Sequence, residues 1–135
     1  MAAITVIAVT IIGGHRLIVM TESPEFCRGC HIMEPQYRAW FASGAHRAIK
    51  CVDCHLPNDN IISHLVWKSI DGAKDSYAFY IRQAVEAEAA SERTKHTVMD
   101  NCVRCHEQLV SNIGKKDMLC WSCHRRQIHR LGEVR

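Results

Sequence analysis

Eight cysteines stand at positions 27, 30, 51, 54, 102, 105, 120 and 123, and each belongs to a C-x-x-C pair followed at once by histidine. The four runs are CRGCH ending at His31, CVDCH ending at His55, CVRCH ending at His106 and CWSCH ending at His124. Two thiols three positions apart with an imidazole beside them are the requirement for covalent haem attachment. The thiols form thioethers to the two vinyl groups, and the histidine reaches the iron from the same side. Two zinc ions, each in four thiolates, would use all eight cysteines but give the four histidines no role. A disulfide framework meets the same objection, and a thioredoxin-like redox pair needs a βαβ context that this pattern lacks. The expectation is four covalently bound c-type haems held by Cys27, Cys30, Cys51, Cys54, Cys102, Cys105, Cys120 and Cys123.

The rest of the composition agrees. A chain of 135 residues has room for one compact domain, alone or with a small appendage. Phe, Trp and Tyr together number nine (3 + 3 + 3), so large aromatics cannot fill the core alone, and haem is expected to form much of it. Seventeen Lys and Arg against fourteen Asp and Glu give a formal net charge of +3, scattered along the chain, which does not point to nucleic acid. Each ferric haem with ionised propionates adds about −1, so four bring the loaded protein to about −1 and the bare-sequence charge misleads. Haem is attached outside the cytoplasm, which places the haem-bearing part in the periplasm or an equivalent compartment.

The elements that must position these motifs fall into three stretches. Residues 1–22 open with an apolar run, MAAITVIAVTIIGGHRLIVM, interrupted only by His15 and Arg16. The uninterrupted part is short for a bilayer span. With Arg16 snorkelling and Leu17 to Met20 added it can cross, so an uncleaved single-pass anchor is expected, with residues 23–135 as the haem domain. A signal-peptide core is disfavoured by the lack of a basic leader and of a cleavage site before Cys27. Between motifs one and two a short helix is expected, with Pro35 in its first turn and Ser43-Gly44 at its end. Residues 60–97 read as one long helix or a broken pair. Ile62, Leu65, Val66, Ile70, Ala73, Tyr77, Ile81, Ala84 and Val85 recur at three- and four-residue steps, and Gly72 is the weak point. Residues 98–135 hold motifs three and four and a basic tail. No alternating strand pattern occurs, so the fold class is mainly α with much irregular structure. The motif spacing is too irregular for a solenoid.

Each iron has a second axial position. Beyond the motif histidines, the candidates are His15, His46, His64, His96 and His129. His46 and His129 each lie too close to a neighbouring motif to serve its haem and are expected to cross to another one. His96 is a third candidate. His64 is expected on the surface of the long helix, and His15 at the membrane interface. The supply is short, so at least one haem is expected to have an open, weak or foreign distal position. In the first motif, Met33 follows His31 by two residues, where core packing is the plain reading.

CRGCHIMEPQYRAW, then GAHRAIKCVDCHLP, the long helix, NCVRCH and LCWSCHRRQIH together resemble the NapC/NirT family of membrane-anchored tetrahaem quinol dehydrogenases, over about residues 4 to 131. The resemblance implies a multihaem cytochrome c fold: a transmembrane helix in the cytoplasmic membrane and a haem-wrapped domain on its periplasmic side. It implies that Met33 replaces His31 on the first iron, beside a menaquinol pocket made by Lys68 and Asp75. His55, His106 and His124 would ligate the other irons, with His46 as distal ligand of the fourth haem and His129 as another distal ligand. It further implies a partner, the catalytic subunit of a periplasmic multihaem, ammonia-forming cytochrome c nitrite reductase, which can itself supply a haem ligand. Residues 107–119 contain no histidine, so the third haem must turn to His96, His129 or something else.

Helix geometry bears on the pocket independently. Seven residues at about 100° each come within about 20° of two full turns, so Lys68 and Asp75 share a face, with Asp71 between them as a reserve acid. Lysine can hydrogen-bond a quinol oxygen, and a carboxylate can take its proton. A solvated charged face of i,i+3 and i,i+4 pairs is the alternative. Two other functions fit the motifs: a soluble tetrahaem electron carrier, against which the apolar segment argues, and a quinol dehydrogenase hub serving other reductases.

Overall fold

The computed structural model describes residues 1–84, 89–112 and 119–129. Val85 and the basic tail beyond His129 lie outside these. The described residues form helices and turns and no strand, as the sequence pattern indicates. Helix α1, Ala2–Thr21, runs unbroken through Gly13, Gly14, His15 and Arg16, and its twenty residues reach about 30 Å, the thickness of a hydrocarbon core. None of its residues is buried by the protein. The hydroxyls of Thr5, Thr10 and Thr21 return to the carbonyls of Met1, Val6 and Leu17 at 3.2, 2.9 and 2.9 Å, so these polar groups need no water.

Short elements follow. Ser23 caps α2 (Pro24–Arg28), its hydroxyl accepting from Phe26 N–H, with Pro24 at the first turn. A 3₁₀ turn at His31–Met33 leads into α3 (Glu34–Phe41), the expected short helix. Gly44, at φ 70, opens a second 3₁₀ turn, Gly44–Ala48, in a conformation that favours glycine. Motif two is itself a helix, α4 (Cys51–His55). The long stretch resolves into two helices. Helix α5 (Ile61–Tyr80) starts at an Asn60 cap, and α6 (Glu92–Val110) starts at a Ser91 cap and runs on through motif three. Gly72 does not break α5. The chain leaves it instead through Gln83 in the left-handed region, φ 50, with Ala84 N–H returning to the Ala78 carbonyl at 3.0 Å. Motif four forms α7 (Cys120–Cys123), followed by a 3₁₀ turn at Arg125–Ile128.

Packing depends less on apolar side chains than on polar bolts. Ala39 and Leu56 are the buried apolar residues among those described, and no side chain is fully buried, whereas Phe41, Val66, Tyr77 and Leu109 are exposed. A domain of this size normally buries most of its apolar surface, so this scaffold fits one built around large apolar prosthetic groups. The bolts lock motif to motif. Buried Asn101 on α6 donates to the Cys54 and Leu56 carbonyls at 3.0 and 2.8 Å and accepts from Asn58 at 3.2 Å. Arg104 reaches the Asp53 carbonyl at 3.3 Å. The carbonyl end of motif two is thereby tied to the helix carrying motif three. Trp40 Nε1 donates to the carbonyls of His46 and Ile49 at 3.1 and 3.0 Å and fixes the turn that presents His46.

Candidate functional site

Each motif sits in a helical turn, which puts its two thiols on one face about one turn apart. In motif one the turn needs Gly29: a Cβ there would lie 2.9 Å from the Phe26 carbonyl oxygen. The motifs meet one another in chain order. The Cys51 thiol donates to Cys27, which lowers the Cys27 thiol to about 7 and raises Cys51 far above its ordinary value. Burial, then Asp53 and Cys105 of motif three, raise Cys54. Burial and the adjacent Cys120 of motif four push Cys102 up to about 12. Thiols of motif one therefore neighbour motif two, two neighbours three, and three neighbours four.

Two imidazole pairs stand across from each other. The His46 and His106 ring centres are 6.0 Å apart, and those of His55 and His129 are 5.8 Å apart with planes within 19°. An imidazole–metal bond is about 2 Å, so two rings sharing one iron have centres about 6 Å apart. Both spacings fit. Burial, then the neighbouring His129, depress His55 to about 4, and burial depresses His129, so both rings are held neutral, the form that ligates metal. His106 sits at a kink in α6, with φ −114 and ψ 19, which turns its ring out of the helical path. The His46 ring thus stands next to that of His106 in motif three. Trp40, and not local spacing, decides its direction.

The remaining expected ligands lie apart. Met33 is half-buried on the turn just after motif one, while exposed His31 packs against the Phe79 ring at 5.3 Å. His124 is exposed, and no other histidine ring faces it among the described residues. His96 is exposed on α6, and neither ring pair uses it. His64 is not on the surface: it is buried, with Nδ1 3.0 Å from the Pro57 carbonyl and Nε2 3.3 Å from Glu22 Oε1.

The polar residues of α5 divide. Lys68 Nζ donates to the Ile18 carbonyl and to Glu22 Oε1, both at 3.1 Å, and so caps the carbonyl end of the anchor helix, where a cation is favoured. The charges of Lys68 and Asp75 both reach Cys27, behind the larger effects of Cys51 and burial, the lysine lowering its pKa and the carboxylate raising it. Asp71 turns away to the Arg93 guanidinium, which stacks 3.9 Å above the Trp67 ring. That ion pair ties α5 to α6 and leaves Lys68 and Asp75 as the polar pair at the first motif. Glu22 went unread in the sequence. As the first residue after an apolar helix it looks like an ordinary boundary charge, and only folding surrounds it with Lys50, His64 and Lys68.

A helix able to span a membrane, four C-x-x-C-H turns in contiguous order and opposed imidazoles at iron-sharing distance define a membrane-anchored c-type cytochrome. The chain belongs to the NapC/NirT cytochrome c family, whose N-terminal region matches residues 1–134. It is 32% identical over 133 residues to the cytochrome c-type protein NrfH of Wolinella succinogenes, covering 88% of this chain and 74% of that one. It is 36% identical over 113 residues to the cytochrome c nitrite reductase subunit NrfH of Nitratidesulfovibrio vulgaris, covering 81% and 69%. Its fold superposes with a TM-score of 0.80 on a chain of the cytochrome c nitrite reductase NrfHA complex bound to the HQNO inhibitor, at 32% identity over 95% of this chain and 86% of that one. Membership of a cytochrome c family carries covalently bound haem with it.

Proposed function

We propose that this chain oxidises menaquinol at the membrane surface and passes the electrons to the catalytic subunit of an ammonia-forming cytochrome c nitrite reductase. Residues 1–22 anchor it in the cytoplasmic membrane, and residues 23–135 form a tetrahaem domain on the periplasmic side. The observation that carries the reading is the joint between anchor and haem domain. The Lys68 ammonium sits on the last turn of α1, and Lys68 and Asp75 flank the first motif, where a lipid-soluble donor would arrive.

The residues have separable tasks. Two of the three Lys68 N–H groups are taken by Ile18 and Glu22, which aims the third at a quinol oxygen. Asp75 accepts a quinol proton. Met33 would hold the first haem in place of His31. His55 with His129 would hold the second, His106 with His46 the third, and His124 the fourth. The thioether cysteines fix the four groups in chain order. When bound, the haems accept electrons singly and relay them, with potentials set by ligand type and burial. The fourth motif, where His124 is exposed, is the outlet toward the partner and the place for a ligand donated by it.

In vesicles, nitrite reduction driven by a naphthoquinol is expected only when this chain and a multihaem nitrite reductase are both present. Quinol-driven nitrite reduction by the partner alone, or none by the pair, contradicts the assignment.

A further inference from the structure

Glu22 is tied by three basic groups from two other elements. Lys50, at the start of α4, is 3.3 Å away, Lys68 on α5 is 3.1 Å away, and His64, one turn earlier on α5, is 3.3 Å away. The Glu22 side chain is 14% exposed and that of His64 11%, while Lys50, at 45%, stands at the solvent edge. Burial alone would raise the Glu22 carboxyl; the hydrogen bonds from Lys68 and Lys50 outweigh it and hold the group below the ordinary carboxylate value.

The His64 contact needs a proton. Nδ1 faces the Pro57 carbonyl, which only accepts, so Nδ1 carries hydrogen. A neutral ring then presents a bare Nε2 to Glu22 Oε1, acceptor against acceptor. The contact is attractive only with one proton between them. The same Oε1 atom accepts from Lys68, so a continuous path runs from Lys68 through Glu22 to His64.

We infer that Glu22 and His64 form a proton-accepting pair for quinol oxidation, loaded through Lys68, a role that rests on the quinol reading above. A quinol gives up two electrons and two protons. Asp75 takes one proton. The other passes to Lys68 as Lys68 gives one of its own through Glu22 to the bare Nε2 of His64, so the ammonium is regenerated and Glu22 ends ionised. The pair goes from no shared proton to one, which then leaves to water at the Lys50 edge. Glu22 and His64 are positioning and relay residues; neither touches the quinol.

The test uses the full haem-loaded chain in lipid vesicles, with a naphthoquinol as donor and stopped-flow haem reduction as readout. Glu22→Gln and His64→Gln are each expected to lower kcat at least ~10-fold, with KM changed by less than about threefold. In wild type, kcat falls at acid pH as the pair fills; in both variants that limb is displaced by about one pH unit or more. Independently of turnover, the acid-minus-neutral infrared difference spectrum of the oxidised protein should contain a carboxylate band that Glu22→Gln and His64→Gln each remove. His64→Gln leaves every Glu22–lysine contact in place, so it decides the matter even if Glu22→Gln folds poorly. Wild-type kinetics, an unmoved acid limb and an unchanged carboxylate band in His64→Gln overturn the pair. A wild-type chain that the naphthoquinol does not reduce overturns the quinol reading itself, whatever the infrared band shows.

Discussion

Asp75→Asn is expected to lower naphthoquinol-driven haem reduction by about 10²–10³-fold, the usual cost of losing a positioned general base. The asparagine keeps the size of the side chain and one acceptor oxygen but cannot take a proton. Dithionite should still reduce every haem at the wild-type rate, and the absorption spectrum should not change. The separation is the point: Asp75 lies beside motif one, where its charge acts on Cys27, and is not among the residues assigned to hold iron. Loss of haem would make it a structural residue, and undiminished quinol oxidation would remove it from the pocket.

His46→Ala should convert one low-spin haem in the chain to high spin and leave three unchanged, because the ring it loses is the one 6.0 Å from His106. His129→Ala should convert a different haem, the one carried by His55, and the double variant should convert both. The two effects should add, since the two ring pairs share no histidine. Electron paramagnetic resonance at low temperature resolves the counts. An unchanged set of low-spin signals in His46→Ala would show that the pairing across α6 is not an iron site. If His46 served the fourth haem, the change would fall on the His124 haem and spare that of His106.

What the sequence made legible, and what it hid, follows from how far apart the interacting residues lie. The C-x-x-C-H runs are local signals whose chemistry is complete within five residues, and the structure adds to them only their order in space. The anchor was also readable, since crossing a bilayer depends on length and apolarity along one continuous segment. The joint at Glu22 was not, because its partners at 50, 64 and 68 come from separate elements and no spacing rule links them. His64 illustrates the same limit. Helical periodicity placed it on a solvent face, yet the chain end of α1 folds over it. Asp71 shares the register of Lys68 and Asp75, but Arg93, twenty-two residues on, claims its carboxylate. The long stretch is the broken pair that its pattern allowed, but the break does not fall at Gly72, since propensity yields to context; the exit comes where Gln83 adopts a left-handed turn.

The division of labour that emerges is economical in residues. The anchor helix ends at Glu22, the pair proposed to face the quinol sits on α5, and the opposed imidazoles of His55 with His129 and His106 with His46 are the ones assigned to the next two haems. Polar clamps from Asn101, Arg104 and Trp40 hold backbone carbonyls, which keeps the ligating turns in place without a large apolar core.

Titrating the purified chain in lipid vesicles with a naphthoquinol, while counting reduced haem by its α-band against protein, tests the central claim directly. Four c-type haems per chain, all reduced by the quinol and all retained after acid–acetone extraction, is the expected result. Haems that only dithionite reduces, or fewer than four covalently retained, would contradict it.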